Sequence, residues 1–281
     1  MKLIVTDMDG TLLDSHGRIP GENIDALRLA EAHGIEIAIA TGRMYRNALE
    51  LCREAGIAPH IISNNGAFIY TKGGSRLHAE PLEEKLARQA VDWLEGNDYL
   101  YFANGDLRSL VPPDAAERIR REYADTQNRL PSVTEKTVLG LLHAVEHGVE
   151  AADPGTIARS APGSISALCT SKKKLAEGKA HFCAHRGLTM TAGGNHIFEM
   201  TGASVSKGNA LTVLARHLGI GLDATMAIGD HHNDLSMFEK AGTSVAMGNA
   251  GEEVKRLCSR QTLSNDEFGV ARAIERAISE M

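Results

Sequence analysis

A short apolar run, Leu3-Ile4-Val5, ends almost at once in Asp7-Met8-Asp9-Gly10-Thr11, and this junction constrains the chain more than any other segment. The run is β-branched and too short for a helix, so it predicts a buried strand. Two carboxylates at the carboxyl end of such a strand lie where open parallel sheets place their ligands. Held so close together they repel, and burying them without a partner is costly. A divalent cation is the natural compensation. Gly10 lets the backbone turn sharply, and Thr11 adds a hydroxyl beside that turn. An Asp-rich surface turn has the same local composition, so the rest of the chain has to decide.

With 281 residues, the chain is long for one core and predicts a large α/β domain or two domains. Its net charge of −6 argues against a nucleic-acid surface, which needs clustered Lys and Arg. An anionic small substrate remains compatible if the site itself is positive. Cys52, Cys169, Cys183 and Cys258 are scattered without a CxxC pair, so neither a zinc ribbon nor a disulfide framework is indicated. Reduced thiols in a cytoplasm fit best. The chain enters a strand too early for a signal peptide, and no apolar run approaches the ~20 residues that span a bilayer. A cytoplasmic protein with no membrane partner is expected.

The strand–helix grammar of a parallel sheet follows. Helices are expected at Asn23 to Ala32 and Met44 to Ala55, with strands at Ile35 to Ala40, His60 to Ser63 and Ala67 to Tyr70. The grammar returns late, with a helix at Asn209 to Leu218, a strand at Thr225 to Ile228 and a helix at Leu235 to Lys240. A short strand at Val245-Ala246 and helices at Glu252 to Cys258 and Val270 to Ile278 complete it. The middle differs. A helix at Leu82 to Leu94 leads into a hairpin through Asn104-Gly105. Helices follow at Ala115 to Gln127, Val138 to Val149 and Lys172 to His185, with strands at Ile165 to Cys169, Leu188 to Thr191 and His196 to Met200. Asp153-Pro154-Gly155 and Ala161-Pro162-Gly163 bracket an expected surface loop. An antiparallel α+β module at residues 82–190 is therefore expected, inserted into a core formed by 1–81 and 191–281.

Further sites fit the first. Thr41-Gly42-Arg43 opens a helix, where the threonine can cap N–H groups or help them hold a phosphate oxygen. Lys207 sits near the positive end of the helix running to Leu218, where the macrodipole opposes it by ~0.3–1 kcal/mol. An anionic partner would offset that, although a solvated surface lysine is also consistent. Gly229-Asp230-His231-His232-Asn233-Asp234 follows another strand. Asp234 reads readily as a helix cap, whereas Asp230 ends its strand as Asp7 does. Adjacent parallel strands would gather Asp7, Asp9 and Asp230 around one cavity that suits Mg²⁺.

In this order the sites resemble the haloacid dehalogenase-like hydrolase superfamily, specifically its Cof-type phosphatases. The resemblance rests on Asp7 to Thr11, Ala40 to Arg43, Asn65-Gly66-Ala67, Val205 to Gly208, Gly229-Asp230 with Asn233-Asp234, and Val245 to Ala250. It implies a Rossmann-like, doubly wound α/β core with an inserted α+β cap of the C2B type. It implies that Asp7 is the nucleophile, forming an aspartyl-phosphate, and that Asp9 is the general acid and base. Mg²⁺ would be held by the Asp7 carboxylate, the Asp9 backbone carbonyl and Asp230. Met8, Thr41, Gly42, Arg43, Asn65, Lys207 and Asn233 would bind the phosphate or substrate, with Asp234 orienting Lys207 or a metal-bound water. The implied activity is Mg²⁺-dependent hydrolysis of small phosphorylated metabolites, of the phosphosugar or phosphorylated-cofactor class. A sugar phosphomutase on the same fold and a phosphate sensor without turnover are the alternatives.

Other features invite stronger readings than they bear. His143 to His147 matches H-x-x-E-H, but without an evident third ligand for zinc. His231 and His232 depart from what the family carries there, and read first as solvent-facing. Asn64-Asn65-Gly66 also suits a tight turn, and Lys172-Lys173-Lys174 a solvated helix face. Phe268 stands where the family leads one to expect an acid. A receiver domain would carry its phosphoacceptor mid-chain, and no G-x-G-x-x-G follows the first strand to suggest a dinucleotide site.

Overall fold

The first strand, β1 (Leu3–Thr6), is buried at every position because both faces of its sheet are covered. A computed structural model describes residues 1–124, 129–191 and 196–281, which fall into two units, Met1–Ala79 with Val205–Met281, and Glu80–Ser204. In chain order the first unit supplies β1, α1 (Gly21–Ala32), β2 (Glu36–Ala40), α2 (Tyr45–Glu54), β3 (His60–Ser63), β4 (Phe68–Tyr70) and β5 (Arg76–Ala79). The second begins with α3 (Glu84–Gly96), β6 (Leu100–Asn104), β7 (Ser109–Val111), α4 (Ala115–Ala124), α5 (Glu135–His147) and β8 (Glu150–Ala151). It ends with α6 (Pro154–Arg159), β9 (Ser164–Leu168), α7 (Lys172–Cys183), β10 (Leu188–Thr191) and β11 (Ile197–Gly202). The first unit then resumes with α8 (Lys207–Leu218), β12 (Thr225–Gly229), α9 (Leu235–Lys240) and β13 (Thr243–Ala246). It closes with α10 (Glu252–Leu257), β14 (Arg260–Gln261) and α11 (Gly269–Ser279).

The first sheet has the order β14-β13-β12-β1-β2-β3-β4-β5. It is parallel from β14 to β3, and β4 and β5 add an antiparallel edge. Val5 lies level with Ala38 on one side and Ala227 on the other. The chain leaves β1 on one side for β2 and returns on the other as β12, so strand order reverses at β1. Ligands bind at such a switch point. Alternate β1 residues feed two cores, Ile4 sharing one with Leu27 of α1 and Ile274 of α11, and Val5 sharing the other with Leu211 and Leu214 of α8. This is the doubly wound arrangement expected.

The second sheet has the order β10-β11-β9-β6-β7-β8 and is antiparallel except for the β7–β8 pair. Its boundary corrects the expectation of residue 190. β11 pairs with β9, setting Phe198 level with Ala167 and Met200 level with Ile165, and both side chains are fully buried in this unit's core. The insertion therefore runs through Ser204. The expected surface loop after Asp153 is also corrected. Pro154 starts α6, Asp153 caps it by accepting the Thr156 N–H at 3.0 Å, and Ile157 and Ala158 are buried. Residues 125–127 of the expected Ala115 to Gln127 helix lie outside the described residues. No described helix is long and apolar enough to cross a membrane.

Candidate active site

Asp7 follows β1 directly, its N–H donating to the Ile228 carbonyl of β12 at 2.8 Å. The chain then makes one wide turn, closed by the Leu13 N–H on the Met8 carbonyl at 2.9 Å. Gly10 occupies the left-handed region at φ 76°, and a Cβ there would lie 2.7 Å from Asp230 Oδ2. Glycine is needed at this point for both its backbone freedom and its missing side chain. The Thr11 hydroxyl donates to Asp230 Oδ1 at 3.0 Å, tying the turn to the end of β12.

Lys207 is not a surface residue. Its side chain is fully buried at the start of α8, with Nζ 2.5 Å from Asp7 Oδ1 and 2.6 Å from Asp234 Oδ1. Gly208 permits this approach, because a Cβ there would run into the Ser236 carbonyl of α9. Asp234 does more than cap a helix, since its Oδ2 accepts the N–H groups of both Asp230 and His231 at 3.0 Å. Carboxylate oxygens of Asp7, Asp230 and Asp234 all lie within 4.8 Å of one another. Asp7 and Asp234 thus share one ammonium, with Asp230 beside them. Burial pushes the Asp7 carboxyl up to about 8, with Lys207 opposing and Asp234 and Asp230 adding to the shift. Burial, then Asp234, likewise raises Asp230. Burial works against the Lys207 charge, but Asp234 and Asp7 more than offset it and keep the ammonium protonated.

Thr41, at the end of β2, is buried and accepts the Arg43 N–H at 3.1 Å, as a cap does. The Asn65 N–H reaches the Thr41 carbonyl at 3.0 Å, and Asn233 Nδ2 donates to Asn65 Oδ1 at 3.0 Å. Gly66 lets this turn press against the Ser206 carbonyl at the head of α8. Of the residues singled out in the sequence, Asp7, Lys207, Asp230 and Asp234 thus form one group, and Thr41, Asn65 and Asn233 a hydrogen-bonded second. Asp9 is different. Its carboxylate stands outside the three-acid group, gripped by Arg43 through Nε at 2.8 Å and Nη2 at 2.6 Å. This bidentate pair was not legible in the sequence, where the resemblance implies only that Arg43 would bind the phosphate or substrate.

The remaining features stay peripheral. His231 and His232 are exposed. His143 and His147 share a face of α5 with ring centroids 4.7 Å apart, while Glu146 between them pairs with Arg120 at 3.3 Å. Lys174 pairs with Glu122 at 3.3 Å, and Phe268 packs beside the first unit's core.

The sequence matches the family model of haloacid dehalogenase-like hydrolases over residues 4–274. It is 33% identical to the phosphatase YwpJ of Bacillus subtilis (strain 168), over 99% of this chain and 100% of that one. It is 32% identical to 5-amino-6-(5-phospho-D-ribitylamino)uracil phosphatase YwtE of the same strain, over 99% of each chain. A solved haloacid dehalogenase-like hydrolase from B. subtilis superposes with a TM-score of 0.82 at 33% identity, covering 98% of this chain and 99% of its own. With Asp7 and Asp230 at the switch point and Lys207 between Asp7 and Asp234, the chain belongs to the haloacid dehalogenase-like hydrolase family, in its Cof-type branch.

Proposed function

We propose that this chain is a Mg²⁺-dependent phosphoric monoester hydrolase of small phosphorylated metabolites, working through an aspartyl-phosphate on Asp7. The observation that carries the reading is the buried Lys207 ammonium held between Asp7 and Asp234, beside Asp230. A carboxylate at a strand end, short of positive charge and next to a fixed cation, is poised to receive a phosphoryl group. The names of YwpJ and YwtE, both phosphatases, support the reaction, and YwtE's named substrate supports the metabolite class.

Asp7 would attack phosphorus as the bond to the alcohol oxygen breaks. Lys207, the Thr41 hydroxyl and the Gly42 N–H would hold the equatorial oxygens, with Met8, Asn65 and Asn233 around them. Asp9 would protonate the leaving oxygen, then take a proton from the water that hydrolyses the intermediate. For that, Asp9 has to turn away from Arg43, which would meet the substrate in exchange. The acidic group fits a hard divalent ion, because Asp7 and Asp230 offer carboxylate oxygens while both oxygens of Asp234 are engaged. The Asp9 carbonyl would join them. When bound, Mg²⁺ neutralises charge between the nucleophile and the phosphate.

Metal-stripped protein should release phosphate from phosphosugars, phosphorylated cofactors or nucleotides only after Mg²⁺ is restored. Asp230→Ala should then need at least ~10-fold more Mg²⁺ for half-activation, with little change in its melting temperature. Full turnover in excess chelator, with metal removal verified, would overturn the reading.

A further inference from the structure

The segment from Val245 to Ala250 has no part in that mechanism, yet Asn249 reaches the catalytic loop. Its Nδ2 donates to the Gly10 carbonyl at 2.8 Å, and its Oδ1 accepts the Asn265 N–H at 3.1 Å. Two more carboxamides grip the same loop. Asn265 Nδ2 donates to the Leu13 carbonyl at 3.0 Å. The buried Asn23 donates to the Leu12 carbonyl and accepts the Ala271 N–H, both at 3.0 Å. Farther along, the Ser15 N–H donates to Asp266 Oδ1 at 2.8 Å.

The support behind Asn249 is stiff. The Gly248 N–H reaches the Leu263 carbonyl at 2.9 Å, and the Thr262 N–H reaches the Ala246 carbonyl at 3.0 Å. A Cβ on Gly248 would lie 2.6 Å from the Ser264 nitrogen, so here backbone packs directly on backbone. Gly10, by contrast, is the loop residue with the widest conformational freedom. It sits between Asp9 and Thr11, so its φ and ψ set how Asp9 is aimed relative to the rest of the loop, and holding its carbonyl restrains ψ. A carboxamide suits the post because it combines a donor and an acceptor.

We propose that Asn249 is a positioning residue, which by holding the Gly10 carbonyl fixes Asp9 for proton transfer. The proposal rests on the reading of Asp9 as the acid and base. Asn249→Asp keeps the size and the acceptor for the Asn265 N–H, but faces the Gly10 carbonyl with an oxygen. Asn249→Ala removes both contacts and serves if the first variant fails to fold. Both are compared with Asp9→Asn in single-turnover reactions with an alkyl phosphate and with nitrophenyl phosphate. A nitrophenolate departs without a proton, whereas an alkoxide needs one. Both Asn249 variants should slow transfer from the alkyl ester at least ~10-fold more than from the aryl ester, part of the ~10²–10⁴ that a placed proton donor contributes. Inhibition by inorganic phosphate should be unchanged. Equal losses on the two esters, or none, with Asp9→Asn still discriminating, would overturn the role of Asn249. If Asp9→Asn fails to discriminate, the reading of Asp9 falls instead, and the proposal with it.

Discussion

Asp7→Asn is expected to abolish turnover with every phosphate ester, by ~10⁴-fold or more, because no other group would take the phosphoryl. The same change should leave the folded protein at least as stable. Burial holds the Asp7 carboxyl up to about 8 against an ordinary 3.8, so between those values the folded chain keeps a proton that the unfolded chain has lost. Stability from this group therefore falls as pH rises through that window. Urea unfolding of metal-free protein between about pH 5 and about pH 8 isolates the effect as wild type minus Asp7→Asn. Mg²⁺ should flatten the difference by favouring the ionised carboxylate. A wild-type stability that rises relative to the variant would contradict the account.

Lys207→Met is expected to cost both activity and stability. It removes the cation that lies 2.5 Å from Asp7 and 2.6 Å from Asp234, within a site where the side chains of Lys207 and Asp234 are fully buried. Breaking a buried pair on one side costs about 3–5 kcal/mol, because the other charge is left uncompensated. Turnover should fall at least ~10³-fold, as for loss of a preorganised oxyanion contact. Adding Asp7→Asn to Lys207→Met should restore stability mainly above about pH 8, where the Asp7 carboxyl would otherwise carry charge, and should not restore turnover. Guanidinium unfolding of the single and double variants in chelator checks this. A Lys207→Met midpoint equal to that of wild type would show that the acids are not sharing the ammonium.

The parts of this site that ride on secondary structure were legible before any coordinates. Asp7, Thr41 and Asp230 each follow an apolar run, and parallel pairing of β1 with β2 and β12 brings such ends together. The residues around Lys207 did not disclose its partners, of which Asp234 was expected only from the family resemblance. Its bonds join residues 200 and 27 positions apart, and a lysine at a helix start carries no mark of what lies across the sheet. The grip of Arg43 on Asp9 was hidden for the same reason. Side chains that bind backbone carbonyls, as Asn23, Asn249 and Asn265 do, leave no periodic signal at all. The boundary at 190 missed because β10 and β11 carry ordinary strand patterns. Only their antiparallel pairing with each other and with β9 assigns them to the inserted unit.

The central claim is a phosphoryl group carried on Asp7, and quenched-flow mass analysis of the intact chain tests it most directly. Asp9→Asn retains the nucleophile but lacks the base for the hydrolytic step, so with nitrophenyl phosphate and Mg²⁺ it should accumulate the acyl phosphate. The account predicts one phosphoryl adduct per chain in that variant, mapped by fragmentation to Asp7, and none when Asp7 is also replaced by Asn. An adduct on any other residue, or turnover at the wild-type rate in the doubly substituted chain, would contradict it.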